Sequence, residues 1–176
     1  MNKKILIFGG TGAIGFSIAK KMTEEGYSPI LISRNEEELI IKSKEINCEY
    51  EVCDVLERDQ IDQISKKHGE EVNGLAYCVG SINLKPIKIT KDEDFIESYK
   101  INTLGAINAI KLNIESLTKN NGSILLFSTI AVQQGFTNHS IVSSSKGSIE
   151  GLTLSLAAEF APKIRVNCIA PSLTDS

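Results

Sequence analysis

The chain has no tryptophan, two histidines and four prolines in 176 residues, and its scarcities exclude more than its abundances announce. His68 and His139 are too few and too far apart for an imidazole-based metal centre, so no metal is expected. The four cysteines, Cys48, Cys53, Cys78 and Cys168, lack the close pairing of zinc sites and redox motifs and read as reduced thiols in apolar segments. Positive charge is not in excess either: the net charge is -3, which leaves no clustered field for a nucleic acid or an anionic membrane surface. No apolar run is long enough to span a bilayer, and Lys3-Lys4 leads into a segment too short for a signal peptide. The expected location is the cytoplasm. What remains is a globular composition, 41% hydrophobic and 23% charged, with the core capacity of a single domain over 1-176.

The rest of the chain is organised around Ile5-Leu6-Ile7-Phe8-Gly9-Gly10-Thr11-Gly12-Ala13-Ile14-Gly15, an apolar strand running into a glycine-rich turn and then a helix. Gly10, Gly12 and Gly15 fall in the spacing GxGxxG. That spacing suits a sharp turn, a close backbone approach to phosphate oxygens and tight packing of helix on strand. A dinucleotide pyrophosphate then sits on unpaired amides at the positive end of the helix dipole. Glycine clusters also mark ordinary turns, but the preceding strand and the apolar stripe Ile14, Ile18, Met22 in the helix supply the context of a binding loop.

Strand-like runs near 5–8, 29–33, 48–53, 74–79, 123–128 and 165–170 alternate with helical stretches near 13–25, 36–45, 59–68, 92–118 and 143–161. The alternation predicts an α/β fold, a doubly wound parallel sheet of the Rossmann type in three α/β/α layers, with its ligand crevice at the carboxyl ends of the strands. The second strand ends at Ser33-Arg34, about 20 residues after the glycine loop, where the adenosine ribose is contacted. A hydroxyl and a guanidinium there suit a 2′-phosphate and favour NADP over NAD, although Arg34 also fits a solvated loop. Asp54 either accepts from the adenine amino group or caps the next helix. Gly80 either lets the backbone pass close to a cofactor or is a plain turn glycine.

His68 shares a helical face with Ile61 and Ile64 and reads as a packed residue. Asn102 lies in line with the apolar stripe Phe95, Tyr99, Ala106, Ile110, Ile114, Leu117, so its amide is a structural bridge or part of a site. Ser128 and Thr129 place two hydroxyls at the end of the fifth strand. In the last helix Ser145, Ile149, Leu152, Leu156 and Phe160 form one stripe with Lys146 near its start, and spacing alone does not distinguish that lysine from a solvated one.

At this point the sequence resembles the short-chain dehydrogenase/reductase family along its whole length. The most specific block is Ser143-Ser144-Ser145-Lys146-Gly147, with Gly151-Leu152-Thr153, Ser155-Leu156-Ala157-Ala158-Glu159, Ile164-Arg165-Val166-Asn167 and Ala170-Pro171. Of the family's TGxxxGxG motif, Gly9 and Gly15 match the outer glycines, while Phe8 and Ala13 replace the threonine and the middle glycine. Of its NNAG motif only Gly80 is kept. The resemblance implies hydride transfer between a nicotinamide and a small carbonyl or alcohol substrate. Asn102 matches the residue that holds a relay water. Thr129 matches the serine that polarises the substrate oxygen, with Ser128 as its neighbouring substitute. Lys146 matches the lysine that grips the nicotinamide ribose. The cofactor set is then Gly9, Gly10, Gly12, Ile14, Gly15, Ser33, Arg34, Asp54, Gly80 and Lys146.

The resemblance also calls for a tyrosine four residues before Lys146, where Val142 stands, and Val142 can neither donate nor accept a proton. Loss of the principal acid costs on the order of 10²–10⁴ in rate. If the last helix reaches back far enough, His139 shares a face with Val142 and Lys146 and can supply the proton. Asn138 is the alternative use of that junction, as a helix cap. Family members continue past the Pro171 region with a substrate-covering segment, another helix and a final sheet strand, whereas this sequence stops at Ser176: either it is shortened or the protein lacks the family's substrate lid. Two function classes follow: an NADP-preferring oxidoreductase with atypical acid chemistry, or a non-catalytic NADP-binding sensor or assembly subunit. The helices carrying Asn102 and Lys146 are apolar over more than one stripe, which predicts a homodimer or homotetramer.

Overall fold

Six strands, β1 (Lys4–Phe8), β2 (Ser28–Ser33), β3 (Glu49–Val52), β4 (Val72–Tyr77), β5 (Ser123–Phe127) and β6 (Arg165–Ile169), form one sheet in the order β3-β2-β1-β4-β5-β6. Every neighbouring pair is parallel. The computed structural model describes residues 3–172 and residue 174. The strands are joined through α1 (Ala13–Glu24), α2 (Glu36–Ile46), α3 (Arg58–His68), α4 (Asp92–Tyr99), α5 (Gly105–Lys119), the short α6 (Ala131–Gln134) and α7 (Ser140–Phe160). This is the doubly wound α/β arrangement expected from the alternation of short apolar runs and helical segments.

Consecutive residues of a strand point to opposite faces, so β1 must be apolar over its buried part, Leu6–Phe8, to be covered on both. Leu6 and Phe8 join Ile30, Ile61, Ile110 and Ile149 in the core beneath α3, α5 and α7. Ile7 joins Phe16, Ala19, Leu31, Leu39 and Ala76 in the core beneath α1 and α2. The strand order reverses direction between β1 and β4, and such a switch point opens a crevice beyond the carboxyl ends of the strands.

Three expectations change. The buried face of α1 is Gly15, Phe16 and Ala19, because this helix packs by close backbone approach; Ile14, Ile18 and Met22 are only half-buried. The long helix expected over 92–118 is interrupted by a π-helical turn at Lys100–Leu104. Upstream of that turn Ser98 is buried while Tyr99 is 41% exposed, the reverse of the predicted stripe. The wide turn inserts one residue into the helical repeat and so shifts which residues face inward. Finally, α7 begins at Ser140, three residues earlier than expected, with His139 as its N-cap and Asn138 in a left-handed conformation rather than capping. His68 is packed as expected, 3% exposed, with Nε2 2.9 Å from Glu51 Oε1.

Candidate functional site

The glycine loop is held by two backbone bonds: the Gly9 and Gly10 amides donate to Ile32 O at 2.8 and 3.1 Å. Gly9 has φ +76°, a left-handed conformation that favours glycine. A Cβ on Gly15 would lie 2.3 Å from Gly9 O, and one on Gly10 would lie 3.0 Å from Leu31 Cα. These three positions are glycine for the sake of the fold. Gly12 is different. It is exposed, its φ of -71° and ψ of 161° suit any residue, and the nearest atom to an added Cβ is 3.4 Å away. Nothing among the described residues requires glycine there; what a methyl would fill is the open space at the start of α1. That helix has no side-chain cap, so its first amides face the same space. A group of pyrophosphate size and charge fits this cradle.

On one side of the loop a cavity of about 250 Å³ is bordered by Gly9, Ser33, Arg34, Asp54 and Gly80. Thr11 Oγ1 and Ser33 Oγ lie 2.9 Å apart and tie the loop to the end of β2. Asp54 Oδ1 accepts from the Leu56 amide at 3.0 Å, and Glu57, not Asp54, is the N-cap of α3. Arg34 Nη1 stands 3.9 Å from Asp54 Oδ2, and the arginine side chain is 75% exposed. Such a loose, solvated pair contributes little to stability and leaves the guanidinium available to an anion.

On the other side a cavity of about 410 Å³ is bordered by Ile14, Gly15, Thr129, His139, Val142 and Lys146. Both cavities also touch Gly12 and Cys78, so they are neighbours across the loop. Lys146 is 9% exposed and donates from Nζ to Phe127 O at 2.9 Å. Burial disfavours the ammonium and pushes its pKa down to about 8. Asn102 is fully buried in the π-helical turn. Its Nδ2 donates to Ser98 O at 2.9 Å, and its Oδ1 accepts from the Ser81 amide at 3.3 Å. A Cβ on Gly80 would lie 3.0 Å from Asn102 Oδ1 and 3.2 Å from Lys146 Nζ. Gly80 is therefore the spacer that lets those two side chains approach the same point.

Thr129 Oγ1 accepts from the Ala131 amide at 3.3 Å, which leaves the hydroxyl hydrogen for another acceptor. Ser128 is 4% exposed and its hydroxyl donates to Glu150 Oε1 at 2.6 Å, so it braces α7 against β5. His139 Nδ1 lies 2.8 Å from Thr137 O, and its ring meets the Phe136 ring edge-on at 5.4 Å. Since a carbonyl only accepts, Nδ1 carries a hydrogen and donates it to Thr137 O. Among the described residues no tyrosine borders this cavity. Tyr77, the end of β4, donates its hydroxyl to Ile101 O at 2.7 Å, satisfying a carbonyl of the π-helical turn. Burial raises its pKa far above the ordinary phenol value.

The structure thus brings Gly9, Gly12, Ser33, Arg34, Asp54 and Gly80 around one cavity, and Gly12, Ile14, Gly15, Ser128, Thr129, His139, Val142 and Lys146 around the other, while Gly10 and Asn102 border neither. Sequence reasoning passed over Thr11, Cys78 and Glu150. Thr11 sits inside the glycine motif, which is the signal that could have found it. Cys78 and Glu150 carry no such signal, because only the parallel sheet brings Cys78 to the crevice and only the turn of α7 brings Glu150 to Ser128.

A family model described as short chain dehydrogenase matches residues 3–176. A 3-oxoacyl-[acyl-carrier-protein] reductase of Mus musculus is 33% identical, over 97% of this chain and 75% of its own length. The crystal structure of Cj0485 dehydrogenase superposes with a TM-score of 0.90 at 30% identity, over 97% of this chain and 68% of that one. A structure of ElxO with NADPH bound, in a form carrying a tyrosine-to-phenylalanine change, gives 0.91 at 27% identity, over 98% of this chain and 74% of that one.

Proposed function

The chain belongs to the short-chain dehydrogenase family of nicotinamide-dependent oxidoreductases, and from that premise we propose that it transfers hydride between NADP and a small carbonyl or alcohol without a catalytic tyrosine. The observation that carries the reading is the approach of Asn102 Oδ1 and Lys146 Nζ to one point over Gly80, beside a cavity that also holds Thr129. When bound, the dihydronicotinamide supplies a hydride to the carbonyl carbon. The protein's task is then to place the carbonyl and to manage charge on its oxygen. Thr129 donates a hydrogen bond to that oxygen, Lys146 holds the nicotinamide ribose, and a proton comes from one of two groups bordering the cavity, His139 or Lys146. Asn102, with both ends of its amide engaged, positions the water that returns protons from solvent.

Arg34 and Ser33 favour NADP, because a guanidinium paired only loosely with Asp54 can turn to a 2′-phosphate. Gly9, Gly10, Gly12, Ile14 and Gly15 form the pyrophosphate cradle. In this reading residues 1-176 act as one nucleotide-binding unit. Apolar side chains left at the surface of the helices carrying the site, Ile96, Tyr99, Leu104 and Leu154, favour assembly of two copies. Location in the cytoplasm fits the free cysteines and the absence, among the described residues, of a helix long and apolar enough to cross a membrane. Val142, 3% exposed and apolar at the position of the family's tyrosine, supports the second reading, an NADP-binding sensor or assembly subunit that performs no turnover. Protein mixed with NADPH and a panel of ketones and aldehydes separates them. Loss of absorbance at the dihydronicotinamide band supports the enzyme; tight binding with no loss for any carbonyl supports the sensor.

A further inference from the structure

We infer that Lys146 is itself the acid that protonates the nascent alkoxide, in place of a tyrosine. The inference rests on the reading above that hydride is transferred at this site.

Elimination narrows the candidates around the cavity. The Ser128 hydroxyl is spent on Glu150 Oε1 at 2.6 Å. The Cys78 thiol is pushed up to about 12 by burial, too weak an acid for neutral pH. Thr129 is an aliphatic alcohol and serves as hydrogen-bond donor rather than acid. His139 is anchored through Nδ1 on Thr137 O and stacked edge-on against Phe136, both in the exposed turn that precedes α7.

Lys146 has the opposite placement. Its ammonium has three donors, and Phe127 O takes one of them at 2.9 Å. Val142, one helical turn earlier, borders the same cavity as Lys146 and Thr129. A phenol at position 142 would stand between the ammonium and a substrate oxygen on Thr129. The short side chain of valine leaves that path open, directly or across one water, which is the reach a proton donor needs.

Among the described residues the titratable groups acting on the ammonium are Cys168 on β6 and Cys78 beyond β4; His139 borders the same cavity, and Glu150, one turn further along the same helix, has its carboxylate engaged by Ser128. Burial outweighs the pull of Cys168 and Cys78 and brings the ammonium to about 8, so it holds its proton at neutral pH and parts with it readily. In the reduction the carbonyl carbon gains hydride from the dihydronicotinamide and the π pair moves to oxygen. The Nζ–H bond then breaks as the O–H bond forms, leaving an alcohol, a neutral amine and oxidised nicotinamide. The amine regains its proton from solvent, and alcohol oxidation runs the same step in reverse.

The test follows NADPH-dependent carbonyl reduction from pH 6 to 10, together with NMR titration of the labelled Lys146 side chain in the protein alone. The expected result is a fall in kcat through about pH 8, matched by a Lys146 titration in the same range. Lys146→Arg lowers kcat at least 100-fold and abolishes the inflection at saturating NADPH, its NADPH affinity being measured separately by fluorescence so that a lost ribose contact is not counted as a lost acid. His139→Gln retains the inflection. An inflection lost in His139→Gln, or a Lys146 that stays charged past pH 9.5, overturns the assignment even if the arginine variant fails to fold. Turnover with a flat pH profile overturns this inference alone. NADPH binding with no turnover at any pH overturns the enzyme reading and this step with it.

Discussion

Alanine substitutions at Gly12 and Gly15 have opposite expected effects, because only one of these glycines is required by the fold. At Gly15 the added methyl would stand 2.3 Å from Gly9 O, roughly 1 Å inside ordinary carbon–oxygen contact. Gly9 cannot retreat: its amide is bonded to Ile32 O, and its own Cβ direction is blocked at 2.9 Å by the backbone of Cys78 and Val79. Overpacking of this kind costs about 1–3 kcal/mol. For a chain of this size that lowers Tm by roughly 2–4 °C per kcal/mol. At Gly12 the methyl meets its nearest atom at 3.4 Å and the backbone conformation suits alanine. The unfolded chain loses about 0.4–1 kcal/mol of glycine freedom, offset by roughly 0.5–1 kcal/mol for the poorer N-cap, so the two nearly cancel and Tm moves by less than about 2 °C. The methyl instead occupies the pyrophosphate path. A tenfold loss of affinity reduces the stabilisation by saturating NADPH by about 1.4 kcal/mol. Thermal unfolding of both variants with and without NADPH measures all four quantities. A Gly12→Ala protein stabilised by NADPH as fully as the native chain, or a Gly15→Ala protein as stable as native, would refute the division of roles.

Four further outcomes are expected. Arg34→Ala weakens NADPH at least tenfold by calorimetry and leaves NADH unchanged; equal loss for both would remove the 2′-phosphate contact. Burial places the Lys146 pKa at about 8 in the folded chain, below its unfolded value. The cost of burying its charge is therefore full below pH 8 and relieved as pH rises toward the unfolded value. Against Lys146→Met, in which the cysteine titrations cancel, native stability in urea gains about 3 kcal/mol between pH 7 and 10.5, and a constant difference would contradict this. Val142→Tyr raises carbonyl reduction at least about tenfold if the rest of the site is assembled, and unchanged rates would count against it. Sedimentation at micromolar concentration shows a dimer that Leu154→Glu dissociates; a native monomer would sink the assembly reading.

The fold was legible in the sequence because its signals are local. An apolar run of four or five residues between turn residues is a strand buried on both faces, and the period of the intervening segments is helical. The glycine loop and the Ser33-Arg34 strand end were legible for the same reason: each is a contiguous motif at the end of a strand. His68 could be read as packed from its neighbours Ile61 and Ile64 alone. The resemblance to a family added the candidates that spacing could not pick out, Lys146 above all.

What the tertiary structure alone decided concerns groups whose partners are distant in sequence. Asn102 faces the site because a π-helical turn displaces the helical repeat, and that turn is stabilised by a hydroxyl from Tyr77 in another layer. Ser128 is spent on Glu150, a residue 22 positions away, so of two adjacent hydroxyls only Thr129 is left for a substrate. Lys146 is an ordinary lysine in the sequence; closure of β4, β5 and α7 around it removes water from the ammonium and brings its proton within reach of neutral pH. Local pattern determines which elements form, because hydrophobic periodicity acts over a few residues. Acidity and hydrogen-bond commitment depend on what is excluded or brought near, and only the packed sheet decides that.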